Sequence, residues 1–176
     1  MRRAVFLDRD GVINRSPVSN GKPYAPVTLE EFEILPGVAE ALSRLRAAGF
    51  LNVVVTNQPD ISTGRQSPEV LEAMHALLMQ KLCIDAISVC PHVDADDCNC
   101  RKPKPGLLLE AARELDIDLS ASYLVGDRWR DVAAGWQAGC QCFFIDYEYH
   151  EKRPDKPYVA VKSLLEVSAL LLSTPP

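Results

Sequence analysis

Long apolar runs are missing from this sequence. Hydrophobic residues make up 47% of its 176 positions, yet they never gather into the ~20-residue stretch that a bilayer-spanning helix needs. No basic segment leads into an apolar one near the first residue, so no secretory leader is expected and a cytoplasmic location is. An excess of positive charge is also missing. Nineteen Lys and Arg face 24 Asp and Glu, for a formal net charge of −5, with no basic face to suit nucleic acid or a membrane surface. Internal repeats, low-complexity stretches and interdomain linkers are absent as well. The expectation is one domain over residues 1–176, large enough to build a core without disulfides. With no unexplained apolar stripe, a monomer is the default. In a reducing compartment the six cysteines suggest metal ligation more than a disulfide framework.

What is present is an alternation of strand and helix patterns. Ala4–Leu7 is a short apolar run of the kind found in buried parallel strands. Pro36-Gly37 opens an amphipathic helix with Val38, Leu42 and Leu45 on one face, stopped by Gly49. Leu51–Val55 reads as a second strand. Ser67 and Pro68 then start a helix that runs to about Leu82. Ala86–Val89, Ser122–Val125 and Cys142–Ile145 read as further strands. Helices open at Pro105, end at Ala138 before Gly139, and follow Ser163 through Leu172, with Thr174-Pro175-Pro176 as a frayed tail. This order predicts an α/β fold, a Rossmann-like three-layer sandwich around a mostly parallel sheet. Arg15–Leu35, Cys90–Lys104 and Asp146–Pro157 fit no regular element, and long loops in a compact domain are usually functional or disordered. The last is either a surface excursion or a lip of the site.

The strand ends carry the polar residues. Asp8 and Asp10 follow the first strand, and Gly11 lets the backbone turn sharply there. By itself this Asp-Arg-Asp-Gly fits a solvated turn as well as a catalytic pair. Thr56, Asn57 and Gln58 end the second strand, Arg101 and Lys102 follow the cysteine-rich loop, and Asp127 with Asp131 follows Gly126. In a parallel sheet these ends meet along one edge. Together they supply the parts of phosphoryl transfer: a carboxylate nucleophile, a hydroxyl and a lysine to hold phosphate oxygens, and carboxylates to hold Mg²⁺.

Cys90-Pro91-His92, followed by Cys98-Asn99-Cys100, offers three thiolates and one imidazole. That set suits a closed, tetrahedral, structural Zn²⁺ site in an inserted loop over residues 90–100, which would organise the segment delivering Arg101 and Lys102. The bland alternative is free loop cysteines beside a solvated His92. Cys83, Cys140 and Cys142 lack such spacing and read as small buried residues. His75 and His150 have no evident partner.

The four motifs DRDG, TNQ, RKPKP and GDRWRD resemble, in order and spacing, those of the haloacid dehalogenase superfamily of phosphatases. The resemblance covers nearly the whole chain. It implies that Asp8 is a nucleophile forming an aspartyl-phosphate. Asp10 would protonate the leaving oxygen and then deprotonate water. Thr56 and Lys102 would hold the phosphoryl group, and Asp8, Asp127 and the Asp10 carbonyl would hold Mg²⁺. Asp131 would orient Lys102 or metal-bound waters, or merely begin a helix face. The cysteine loop joined to Arg101-Lys102-Pro103 narrows the resemblance to a branch without a separate cap domain, which includes heptose-bisphosphate and histidinol-phosphate phosphatases. The heptose enzymes, acting in lipopolysaccharide precursor synthesis, match best in length and layout. They imply a phosphorylated sugar as partner, with Asn57, Gln58, Arg101 and Arg128 on the substrate.

Two departures alter the walls of the expected cleft. Where the family usually has Ser-Gly-Ile-Ala-Arg-Gly after the second motif, this chain has Pro59-Asp60-Ile61-Ser62-Thr63-Gly64, with Arg65 next. Where the family often has Arg-Thr-Gly after the last strand, Asp146-Tyr147-Glu148-Tyr149 stands instead. Histidinol phosphate is the alternative substrate, with Asp60 or Glu148 to meet its cationic groups. A zinc-stapled, non-catalytic binding module is the alternative from another class.

Overall fold

A computed structural model describes residues 1–173. Its strands are β1 (Arg3–Leu7), β2 (Val18–Ser19), β3 (Lys22–Pro23), β4 (Phe50–Asn57), β5 (Ala86–Cys90), β6 (Tyr123–Gly126), β7 (Gln141–Ile145) and β8 (Val159–Val161). Its helices are α1 (Val38–Ala47), α2 (Pro68–Lys81), α3 (Gly106–Leu115), α4 (Trp129–Ala138) and α5 (Leu164–Ser173). Six strands form one sheet in the order β5-β4-β1-β6-β7-β8, and every pairing in it is parallel. Alternate residues of each strand feed two cores. Val5, Leu7, Val54 and Val125 pack against α1, α2 and α5 on one face. Ala4, Phe6, Val53, Val55 and Leu124 pack against α3 and α4 on the other. The result is the expected three-layer sandwich, covered on both faces and without a cap domain among the described residues.

Local chemistry sets the element ends. Ser67 Oγ accepts from the Val70 amide at the start of α2, and Ser163 Oγ does the same for the Glu166 amide at the start of α5. The expected tail over residues 174–176 lies outside the described residues. Two features depart from the sequence reading. The segment after Asn14 is not wholly irregular, because β2 and β3 form a small antiparallel hairpin. Its turn is Asn20-Gly21 with φ of 51° and 73°, the left-handed pair that such a two-residue turn requires. The short strand β8 adds to the sheet edge after the Asp146–Pro157 segment.

β1 lies at the centre, with β4 on one side and β6 on the other. Here the strand order reverses, and the loops leaving the carboxyl ends of neighbouring strands part to leave a crevice. β1 delivers Asp8 and Asp10 to that crevice, β4 delivers Thr56 and Asn57, and β6 delivers Asp127.

Candidate active site

The crevice opens into a cleft of about 860 Å³, counting its open mouth, lined by Asp8, Asp10, Asn57, Lys102 and Asp127 at its base. Lys102 is only 2% exposed, and its Nζ donates to Asp8 Oδ1 at 2.8 Å and to the Val55 carbonyl at 2.8 Å. It also pairs with Asp131 Oδ1 at 2.6 Å. Asn57 pins the backbone that carries this lysine. Its Oδ1 accepts from the Lys102 amide and its Nδ2 donates to the Lys102 carbonyl, both at 3.1 Å. The other Asp131 oxygen accepts from the Arg128 amide at 3.0 Å. Both oxygens of Asp131 are therefore engaged, and of the two roles open in the sequence the geometry favours orientation of Lys102.

Asp10 sits in a cradle that the sequence did not announce. Arg9, fully buried, donates through Nε and Nη2 to Asp10 Oδ1 at 3.1 and 2.9 Å and through Nη2 to Oδ2 at 3.2 Å. Asn14 Nδ2 adds a bond to Oδ1 at 2.9 Å and Gln58 Nε2 one to Oδ2 at 2.7 Å. Gln58 also donates to Thr56 Oγ1 at 2.9 Å. Gln58 is fully buried and does not line the cleft, so its expected place on the substrate is corrected to a place beneath Asp10 and Thr56. Behind Arg9 lies His75, whose Nε2 is 3.3 Å from Arg9 Nη1, so His75 does have a partner. Burial, and then the Arg9 charge, push this imidazole down to about 4, which keeps it neutral beside the guanidinium.

The carboxylates are short of positive charge. Burial pushes Asp8 up to about 7, opposed by Lys102 and reinforced by Asp131 and Asp10. Burial also drives Asp127 well above the carboxylate range, with Asp8 and Asp131 adding to the shift. Lys102, despite its burial, is held above its ordinary value by Asp131 and Asp8. Lys102 thus serves Asp8 and Asp131, while for Asp127 the Tyr149 hydroxyl and the Arg128 charge offset its burial. Asp127 Oδ1 is buried with no hydrogen-bond partner, and oxygens of Asp8, Asp127 and Asp131 lie within 4.8 Å of one another. A hard divalent cation with oxygen ligands fits this set, and the engagement of Asp131 leaves Asp8 and Asp127 to hold it. Gly11 permits the approach. At φ +84°, a Cβ there would come within 2.0 Å of Asp127 Oδ2.

Cys90, His92, Cys98 and Cys100 converge at the end of β5, their ligand atoms all within 4.8 Å of one another. Individual separations run from 3.0 to 3.6 Å. A tetrahedral site with ~2.3 Å metal–sulfur bonds has edges of roughly 3.8 Å, so a small contraction of the metal-bound geometry is all that separates the two. The loop they close presents Asp94, which pairs with Arg101 Nε at 2.6 Å and with Arg130 Nη2 at 2.9 Å. Arg101, Arg128 and Arg130 line the cleft with Arg65, which pairs with Asp60 at 3.5 Å. Arg128 is matched by Glu151. Sequence reading passed over Arg130, whose neighbour at the start of α4 gave no hint that its side chain turns into the cleft. Glu148 lines a neighbouring hollow with Tyr147 that meets the cleft at Ser16, and does not line the cleft itself.

The fold and this site define a Rossmann-like α/β protein with an acid-rich centre at its switch point. A family model described as haloacid dehalogenase-like hydrolase matches residues 13–139, and the chain belongs to that family. It is 40% identical over 146 residues to the D-glycero-beta-D-manno-heptose-1,7-bisphosphate 7-phosphatase of Pasteurella multocida, covering 77% of this chain and 76% of the relative. The protein of the same name from Pseudomonas aeruginosa is 40% identical over 145 residues, with 80% and 79% covered. Among solved structures, the D,D-heptose 1,7-bisphosphate phosphatase of B. bronchiseptica, complexed with magnesium and phosphate, superposes with a TM-score of 0.84 at 33% identity, covering 97% of this chain and 98% of that one.

Proposed function

We propose that this chain, as one catalytic domain with an inserted zinc loop, is a Mg²⁺-dependent phosphatase. Its substrate would be D-glycero-D-manno-heptose 1,7-bisphosphate and its target the 7-phosphate. The observation that carries this reading is the Asp8 carboxylate held by buried Lys102 at 2.8 Å, at the base of a cleft whose walls are rich in arginine. An oxygen of Asp8 attacks phosphorus, and the bond to the sugar oxygen breaks as Asp10 gives that oxygen a proton. Asp10 then takes a proton from water, the water oxygen attacks phosphorus, and the bond to Asp8 breaks to release inorganic phosphate. The donors from Arg9, Asn14 and Gln58 hold the Asp10 carboxyl group in one orientation through both proton transfers. Lys102 offsets charge on the transferring group, and the Thr56 hydroxyl, buried at the end of β4 where it accepts from Gln58, would donate to one of its oxygens. Asp8, Asp127 and the Asp10 carbonyl would hold Mg²⁺, which when bound would shield nucleophile and phosphate from mutual repulsion. Cys90, His92, Cys98 and Cys100 would hold Zn²⁺, which would organise the loop that carries Arg101. Thiolate ligands of this kind suit a reducing cytoplasm, and a monomer with no nucleic-acid partner completes the reading.

The bisphosphate is favoured over histidinol phosphate by the cleft walls. Asp60, one of two acids expected to read a cationic substrate, is paired with Arg65, and Glu148 does not line the cleft. The test compares kcat/KM for the heptose bisphosphate, as both anomers, with that for histidinol phosphate, using Asp8→Asn as control. A heptose preference of ~100-fold, about 2.7 kcal/mol of differential transition-state binding, and loss of turnover in the control are expected. Equal turnover of the two, or activity surviving in Asp8→Asn, would overturn the reading.

A further inference from the structure

The segment after β7, where this chain departs from the family pattern, is tied to the carboxylate centre at three points. Tyr147 Oη donates to the Gly11 carbonyl at 2.9 Å. Tyr149 Oη donates to Asp127 Oδ2 at 2.8 Å. Glu151 accepts from Arg128 through both its oxygens. The two tyrosine rings stack with centroids 5.5 Å apart, and the His150 amide donates to the Gly21 carbonyl at 2.7 Å, joining the segment to the turn of the β2–β3 hairpin. These contacts form a strap across one side of the site.

The consequence falls on Asp127. Its Oδ2 is closed off by the Tyr149 hydroxyl and by the Gly11 backbone, whose Cα packs so closely that no Cβ could be added. Its Oδ1 is buried and has no partner. We infer that Tyr149 is a positioning residue that commits Asp127 to binding its metal through one oxygen, and that it thereby sets the preference of the site for Mg²⁺ over Ca²⁺. Mg²⁺ is small and demands near-octahedral geometry from single oxygens, whereas Ca²⁺ accepts six to eight ligands and takes carboxylates in bidentate fashion. A phenol that occupies one oxygen of the carboxylate withholds the bidentate option and so penalises the larger ion. Deleting the hydroxyl leaves Gly11 as the remaining cover on Oδ2 and lowers that penalty.

The inference rests on the Mg²⁺ reading proposed above, and the test separates the two. The full zinc-loaded chain, freed of other divalent ions, is titrated with Mn²⁺ followed by its EPR signal, and Mg²⁺ and Ca²⁺ are each used to displace it. Failure of Mg²⁺ to compete for wild-type protein would sink the Mg²⁺ reading itself. In Tyr149→Phe the affinity for Ca²⁺ relative to Mg²⁺ is expected to rise about tenfold. Tyr147→Phe loosens the same strap without touching Asp127, and its ratio should stay within about twofold of wild type. Thermal unfolding of both variants confirms that each is folded. A merely structural role for Tyr149 would weaken both ions together and leave the ratio unchanged, and that result overturns the inference. An equal change of ratio in Tyr147→Phe overturns it too, because the strap as a whole, and not the Tyr149 hydroxyl, would then set the selectivity.

Discussion

Asp8, Asp10 and Asp127 were legible because each stands in a short motif at a strand end, where the side-chain type and the turn around it are both constrained, and Lys102 because its motif follows the cysteine-rich loop directly. Arg9 was not. A fully buried arginine runs against the ordinary distribution of charged residues, and nothing in Asp-Arg-Asp-Gly says which way its second residue points. Only the fold shows that it turns inward beneath Asp10, over the Phe32 ring and against His75. At this scale two outcomes are expected. Lys102→Ala removes the one cation that serves Asp8 and Asp131, and kcat should fall by roughly 10²–10³, the range for losing a preorganised charge stabiliser. An unchanged rate in single-turnover assays would reject the assignment. His75 titrates near 4 when folded against an ordinary value of 6.5. Between those values the unfolded chain binds the extra proton, so this residue's contribution to stability is complete above pH 6.5 and is lost as pH falls toward 4. His75→Gln should therefore show a shallower fall of Tm over that interval than the wild type.

Elements were easier to read than residues, for reasons that also explain the exceptions. Strands of the central sheet are buried on both faces and appear as unbroken apolar runs, and Ser67, Pro68 and Gly139 mark helix ends by their own chemistry. β8 was missed because it is three residues long at the sheet edge, with Val159 and Ala160 exposed. The hairpin was legible in principle. Asn20-Gly21 is the strongest short signal for such a turn, but strands of two residues give no alternation to flank it. The cysteine-rich loop has no periodicity of its own, and ligand spacing alone singled out the four side chains that the fold brings together. Cys98→Ser is expected to lose zinc, measured as metal content per chain, and to lower activity by loosening Asp94 and the two arginines it joins. Full zinc content in that variant would rule out the four-ligand site.

For the molecule as a whole, the sequence motifs told reaction class more firmly than substrate. The carboxylates and Thr56 come from strand ends fixed by the sheet, and Lys102 from a loop that Asn57 pins to the end of β4. The walls come from loops and the first turn of α4, where Arg65, Arg101, Arg128 and Arg130 are placed by ion pairs that no local pattern encodes. Of these, Arg101 shares Asp94 with Arg130, leaving net positive charge on that wall of the cleft. Arg101→Ala is expected to raise KM about tenfold for a sugar bisphosphate, and much less for a generic monophosphate. Equal effects on the two would reject a recognition role.

The central place of β1 also orders events during synthesis. Its first neighbour, β4, leaves the ribosome soon after it, but β6, its neighbour on the other side, comes more than a hundred residues later. Until then the nascent sheet carries Asp8 on a strand with one bare edge, a hydrogen-bonding surface open to mispairing with other chains. Docking of β6 closes that edge and brings Asp127 opposite Asp8 in the same act. Phosphatase activity is therefore a late signal of vectorial folding, silent in every nascent chain that has not yet sealed its sheet.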